Sequence, residues 1–251
     1  MTRILAAVLV GLFTSQIGIV CTTVYLHRTV THKAVRMGPY VSWVFRLLIW
    51  LSTGISPREW AAVHRRHHAF TDVEGDPHSP LLLGLWRVEL TNAYLYRRVA
   101  RDKATVERYA RDLPADRWDR VLFDHDIVGL SLGTALLFVV LGWRLGLIAA
   151  AVHAVTYLLL NGSVNSFCHW RGKKTYANAA TNLQSVAFLT AGEGLHNNHH
   201  AAPTSARLSH RRGEVDLGWW LISALCHFGL AELRLRDVKL TPIAAGSARP
   251  V

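Results

Sequence analysis

Residues 127–167 read IVGLSLGTALLFVVLGWRLGLIAAAVHAVTYLLLNGSVNSF: two apolar runs, 127–142 and 145–167, joined by Trp143 and Arg144. A bilayer core takes roughly 20 apolar residues of helix, so the second run is long enough to span and the first is short. The pair predicts a helical hairpin inside a membrane. Upstream, residues 4–26 form a further run of spanning length, with Gln16 its one strongly polar member. Arg3 in front of it also suits a secretory signal, but His27 and Arg28 stand where a small-residue cleavage site belongs, so a span is the better reading. A fourth run, 41–55, is interrupted by Arg46 and closed by Pro57. It is too short to cross and is expected to lie buried or in the membrane plane.

Basic residues orient these runs. Of 28 Lys and Arg, sixteen lie between His27 and Asp126 and ten follow His169; one precedes the first run and one sits in the hairpin turn. Cytoplasmic loops carry the excess of Lys and Arg. That rule puts 27–126 and 169–240 in a cytoplasmic cap, with the amino terminus and the hairpin turn outside. Three crossings satisfy it. The net charge of +11 then belongs to loops facing anionic lipid. A nucleic-acid binder would gather its bases on a soluble domain, whereas here they alternate with apolar runs. Cys21, Cys168 and Cys226 form no CxxC pair, which excludes a zinc ribbon or an iron–sulfur ligand set. Residues 86–120 read as polar and mostly helical, 219–230 as an aromatic surface helix lying on the membrane, and the last dozen residues as a loose tail. The expected fold is an all-α integral membrane protein, one domain over 1–251: a bundle of about three spans plus a buried or in-plane helix, under a cytoplasmic helical cap.

Eight of the 14 His fall into three groups: His27 and His32 in HRTVTH, His64, His67 and His68 in HRRHH, and His196, His199 and His200 in HNNHH. On a helix, positions i, i+3 and i+4 share a face, so each HxxHH is expected to aim three imidazoles one way. Five residues turn a helix by about 140°, so His27 and His32 require either two metals or an unwound helix end. Imidazole suits Fe, Zn, Cu and Ni. Eight imidazoles exceed what one ion holds, which argues for two ions. The Glu-x-x-His pattern of soluble di-iron bundles is absent, leaving an all-nitrogen site. Glu59, Asp72, Asp76 and Glu193 flank the HxxHH groups and are candidates to orient ring nitrogens. His169, in NSFCHW just beyond the last run, reaches the same surface and is a candidate ninth ligand; Asn165 precedes it by four residues. His78, in GDPHSP, is expected beside the site, and His153, within a run, in a helix–helix hydrogen bond. His125, His210 and His227 read as ordinary structural residues.

In their contexts, HRTVTH after a span, EWAAVHRRHHAFTDVEGDPHSP and GEGLHNNHHAAPTSAR, the three groups resemble the membrane fatty acid desaturase family over nearly the whole chain. The likeness is greatest to the Δ9 branch of acyl-lipid and acyl-CoA enzymes. It implies an O₂-dependent enzyme that introduces a cis double bond into an acyl chain with two iron ions, Fe²⁺. Electrons would come from a separate donor, a ferredoxin or a cytochrome-b-type protein with its reductase. The resemblance also implies the iron ligands: His27, His32, His64, His67, His68, His169, His196, His199 and His200. NSFCHW matches the family's asparagine–histidine element, which makes Asn165 the contact to an iron-bound water. Trp60, one turn before His64, becomes the candidate wall of a substrate tunnel.

Two departures stand out. Δ9 members usually have a further span before the first His group. The animal acyl-CoA enzymes carry an Arg-Asp pair before HRxHH where this chain has Ala62 and Val63, which favours a lipid-linked acyl chain. Two competing readings remain distinct. A hydroxylase or alkane monooxygenase of the same superfamily would insert oxygen, and the spacings in HRTVTH and HRRHH fit a desaturase better. A non-catalytic membrane metal-binding protein would line its spans with polar groups, and these runs hold few.

Overall fold

In a computed structural model that describes residues 1–235, the chain is mostly helical. The expected C-terminal tail, and the last residues assigned to the cap, lie outside the described residues. Helix α1 (Thr2–Cys21) does not stop where the apolar run does. It continues as a π-helix over Thr22–Thr31. Thr29 and Thr31 donate their hydroxyls to the carbonyls of Val24 and Leu26, five residues back, at 2.8 and 2.7 Å. Such side-chain bonds compete with the i→i−4 ladder, so this threonine-rich stretch can widen its turn without orphaning its carbonyls.

Next come α2 (Pro39–Thr53), α3 (Pro57–Ala69), α4 (Pro80–Leu83), α5 (Leu85–Ala100) and α6 (Lys103–Tyr109). The hairpin foreseen in 127–167 is α7 (Asp126–Leu141) and α8 (Trp143–Asn165), turning at Gly142. Short helices α9 (Phe167–Trp170), α10 (Gln184–Leu189) and α11 (His196–Ala201) and the aromatic α12 (Leu217–His227) complete the helical part. One element has no counterpart in the sequence reading: β1 (Val35–Met37) pairs antiparallel with β2 (Ala231–Leu233), tying the chain after α12 to the end of the π-helix.

α1 packs along α8, and α8 also meets α7 and α5. α2 lies against α1 and α7. Its end comes close to α7 because α7 offers glycine there: a Cβ on Gly129 or Gly133 would stand 2.4 Å from the Trp50 carbonyl oxygen or 2.1 Å from that of Leu51. Small residues permit the same close approach between helices in membranes. Two helical stretches, Thr2–Thr31 and Trp143–Trp170, are long and apolar enough to cross a membrane; α7, with 16 residues, is about 24 Å long. The outer surface agrees. Leu5, Leu9 and Phe13 on α1 and Leu132, Leu136 and Val139 on α7 are all exposed. Exposed apolar surface of this extent suits lipid and not water.

Candidate metal centre

Four segments carry the nine histidines to one place: the π-helix, α3, α9 and α11. The π-helix answers the five-residue puzzle of HRTVTH. Its i→i+5 pitch, seen in the bond from His32 N–H to the His27 carbonyl at 3.1 Å, sets the two rings on the same side. Neither an unwound end nor two metals is needed, and both residues join one group. The HxxHH triplets, in contrast, do not each aim one way. Their i and i+4 members stay together and the i+3 member departs. Thus His64 and His68 join His27, His32 and His199, while His196 and His200 join His67 and His169. Within each group the ligating nitrogens lie within 4.8 Å of one another.

In the five-histidine group, Nε2 atoms face each other along a chain. His27 to His199 is 3.0 Å, His199 to His68 2.8 Å, His68 to His64 3.0 Å and His64 to His32 3.0 Å. In the four-histidine group His200 Nε2 lies 3.3 Å from His67 Nε2 and 3.1 Å from His196 Nε2. His169 Nε2 is buried and, among the described residues, has no partner. Three rings have their other nitrogen claimed by a carboxylate. His27 Nδ1 donates to Glu193 at 2.7 Å, His67 Nδ1 to Asp76 at 3.0 Å and His169 Nδ1 to Asp72 at 2.7 Å. Those bonds fix the Nδ1–H tautomer, so each Nε2 offers only a lone pair. A run of inward-facing lone pairs in a dry pocket repels itself unless a cation stands among them. Carboxylate–imidazole pairs of this kind also orient metal-bound histidines. The residues fit two metal ions, held by five and four imidazoles.

The electrostatics agree. Burial, then the neighbouring imidazoles, pushes His64, His67, His196, His199 and His200 well below the ordinary histidine range, and His68 and His78 to about 3. These rings are neutral, as ligands must be. Burial opposes the charge on Glu193 and Asp72, but His27, Arg28 and Thr23 for the one, and His169 and Ser79 for the other, hold both carboxyls below their usual range. Burial raises Asp76 to about 6 against the backbone N–H groups of His78 and Asp72. Glu59, expected with these acids, touches none of the histidine nitrogens and lines a cavity instead.

That cavity is about 830 Å³, in the range of small-molecule sites. Trp60, His64, Asn165 and His196 border it on the histidine side, and Ile17, Leu51, Leu137 and Ala154 border it among the apolar helices. Glu59, Arg97, Arg101 and Asp126 form a charged rim. Trp60 stacks on His64, ring centroids 4.8 Å apart, so the indole covers a candidate ligand and walls the cavity at once. The side-chain amide of Asn165 donates to Asn92 at 3.0 Å, turning its carbonyl away from α5. His78 stacks on His67 at 4.7 Å. His153 joins three helices, through the Ser52 carbonyl of α2 at 2.7 Å and Ser15 of α1 at 3.3 Å.

Residues 2–213 match the family model described as fatty acid desaturase. The chain belongs to the fatty acid desaturase family. An acyl-CoA C20 Delta5-desaturase of Anemone leveillei is 32% identical over 85% of this chain and 69% of its own length. A Delta-9 acyl-lipid desaturase of Arabidopsis thaliana is 31% identical over 93% and 75%. An sn-1 stearoyl-lipid 9-desaturase of Synechocystis sp. is 32% identical over 95% and 72%. A membrane protein of this family is thus at hand, with histidine clusters able to hold metal.

One structural feature of the site escaped the sequence reading. Arg28 is buried beside His27, its guanidinium held by Asp216 at 2.8 and 3.2 Å, the Ala206 carbonyl at 2.9 Å and the Thr23 hydroxyl at 3.1 Å. Gly192 makes room for it: a Cβ there would stand 2.3 Å from Asp216 Oδ1 and 2.7 Å from the guanidinium. A charged residue directly after a ligand histidine, at the end of an apolar run, was the available signal.

Proposed function

We propose that the protein is an O₂-dependent acyl desaturase forming a cis double bond, at Δ9, in a lipid-linked fatty acyl chain. One observation carries the reading: His64 of the five-histidine group and His196 of the four-histidine group both line the same largely apolar cavity. A methylene chain in that cavity would pass both groups. Two iron ions, held there by the nine imidazoles, would supply O₂ activation and the removal of two hydrogens from adjacent methylenes, with electrons from a separate donor. The chain's own residues bind, align and dry the substrate. A dozen buried methylenes at about 0.8 kcal/mol each leave several kcal/mol of binding after ordering costs. Trp60 and Val63 wall the cavity beside His64, and Asn165 stands on the side of the four-histidine group, where it would hold a water.

The carrier assignment rests on packing. Ala62 is buried against Val106 and Ala110 of α6, and Val63 against Val99 and Ala100 of α5. Neither presents a polar group to the phosphates of CoA, which call for charge-assisted partners. In the membrane, α1, α7 and α8 would cross and α2 would lie in plane or re-enter, with the histidines on the cytoplasmic side where Lys and Arg concentrate. The test is expression in a host without desaturases, followed by location of new double bonds in its lipids. Products lighter by two hydrogens are expected. Products heavier by one oxygen would make the protein a hydroxylase. Labelled acyl-CoA and labelled phospholipid, supplied with transacylation blocked, decide the carrier.

A further inference from the structure

Within the cavity one hydroxyl is left over. Tyr96 lies on the face of α5 formed by Ala93, Tyr96, Arg97 and Ala100, and all four line the cavity. Residues three and four apart share a helix face, so the alanines stand directly beside the phenol and leave space there. The ring packs against Val63, the residue before His64. Its hydroxyl is buried and, among the described residues, bonded to nothing. Nearby hydroxyls are satisfied: Tyr157 pairs with Thr22 at 2.8 Å, and Ser52 and Thr53 donate to the carbonyls of Leu48 and Ile49. Native structures keep few buried polar atoms unpaired, and each asks for an explanation. Burial, with Glu59 next, raises the Tyr96 phenol well above the ordinary tyrosine value, so it stays a neutral donor.

This residue deepens the desaturase reading and rests on it. An acyl chain is monotonous: shifting it by one methylene along an apolar tunnel exchanges like for like, so apolar walls alone fix its register weakly. The carbonyl is the chain's one polar landmark, and inside the cavity it has lost its water and needs a donor. We propose that the Tyr96 hydroxyl donates a hydrogen bond to the acyl carbonyl of the substrate and so sets which methylene pair lies against the two histidine groups. Its place fits the task, between the charged rim of Arg97 and Arg101, where the carrier head would remain, and the histidines beyond Val63.

Tyr96→Phe removes the donor and keeps the ring that packs on Val63. Two readouts on the full-length protein in membranes test the idea. The first is double-bond position: wild type is expected to give one dominant position, and Tyr96→Phe a spread in which neighbouring positions rise by about threefold to tenfold, the factor for one neutral hydrogen bond. The second is binding, by competition between an ester-linked lipid and its alkyl-ether counterpart, which lacks the carbonyl. Wild type should favour the ester by a similar factor, and Tyr96→Phe should lose that preference while binding the ether as before. An unchanged product position with an unchanged ester preference overturns the proposal. Equal loss of both ligands overturns it too, by making Tyr96 a packing residue. A wild type that forms no double bond defeats the desaturase reading, whereas the ester–ether comparison still decides Tyr96.

Discussion

Replacing Asp216 by Asn leaves the Arg28 guanidinium buried without an anion bonded to it. Both side chains are almost fully enclosed, 1% and 0% exposed. The Asp216 carboxylate accepts from Arg28 twice, from the backbone N–H of Leu208 at 2.7 Å and from that of Trp219 at 2.9 Å, where it caps α12. An amide in its place turns an NH₂ toward donors already present, at Arg28 and Leu208. Breaking a buried ion pair from one side costs about 3–5 kcal/mol. For a protein of this size each kcal/mol moves Tm by roughly 2–4 °C, so a fall of about 10 °C is expected for purified protein in detergent. The damage should reach the metal centre as well. The next acid is Glu193, 3.9 Å from the guanidinium and bonded to His27; a stranded Arg28 draws it off that ring. Asp116→Asn is the control: it breaks the Arg46 pair, whose carboxylate is 49% exposed, and exposed pairs contribute about 0–1 kcal/mol. Two measurements decide, thermal unfolding and metal retained after dialysis against a chelator. Asp216→Asn melting within 2 °C of wild type, about the effect expected of Asp116→Asn, would refute the reasoning.

Metal analysis of active protein should find two iron ions per chain; one ion, or zinc, contradicts the two-group assignment. His169→Ala should abolish activity nearly as fully as His67→Ala, whereas His227→Ala, at the end of α12 away from both groups, should not. Glu193→Gln and Asp72→Asn should weaken metal retention by roughly 10–100-fold, the usual cost of losing a carboxylate behind a ligand histidine; equal retention would show that the Nδ1 bonds are incidental. Metal-free protein should lose stability as pH falls below about 6.5. Each buried ring held below its unfolded value leaves the unfolded state binding more protons there, about 1.4 kcal/mol per pH unit per histidine. The contribution is complete above that pH, and a flat melting temperature between pH 7 and 5.5 would count against it.

The apolar runs were legible because a segment facing lipid and protein together is apolar all round, and needs no period to be seen. The hairpin, α2 and α12 accordingly appear within two or three residues of their expected limits. What the sequence hid was local geometry that departs from 3.6 residues per turn. HRTVTH looks awkward only on an α-helix; the π pitch, supported by Thr29 and Thr31, removes the difficulty. The HxxHH triplets hid a complementary fact. An i, i+3, i+4 set covers a wide enough arc to serve two centres when those centres sit side by side, and α3 and α11 both use it that way.

Partners close in sequence were read and partners far apart were not. Asp76 lies nine residues from His67 and Glu193 three before His196, so proximity alone made them candidates. Glu59 shows the weakness of that rule, being five residues before His64 and yet facing the cavity rim. Asp216 is 188 residues from Arg28, and nothing local links them. The consequence touches topology. Counting basic residues by loop treats every Arg as a solvated charge, and Arg28 is no such thing; it belongs to the interior as surely as His27 beside it. Removing it leaves fifteen of the sixteen Lys and Arg between His27 and Asp126, and the asymmetry that places the histidines on the cytoplasmic side survives. The residue itself moves to a different argument: a fixed positive charge between Asp216 and Glu193 keeps the latter ionised, and an ionised Glu193 keeps the Nε2 lone pair of His27 pointing inward.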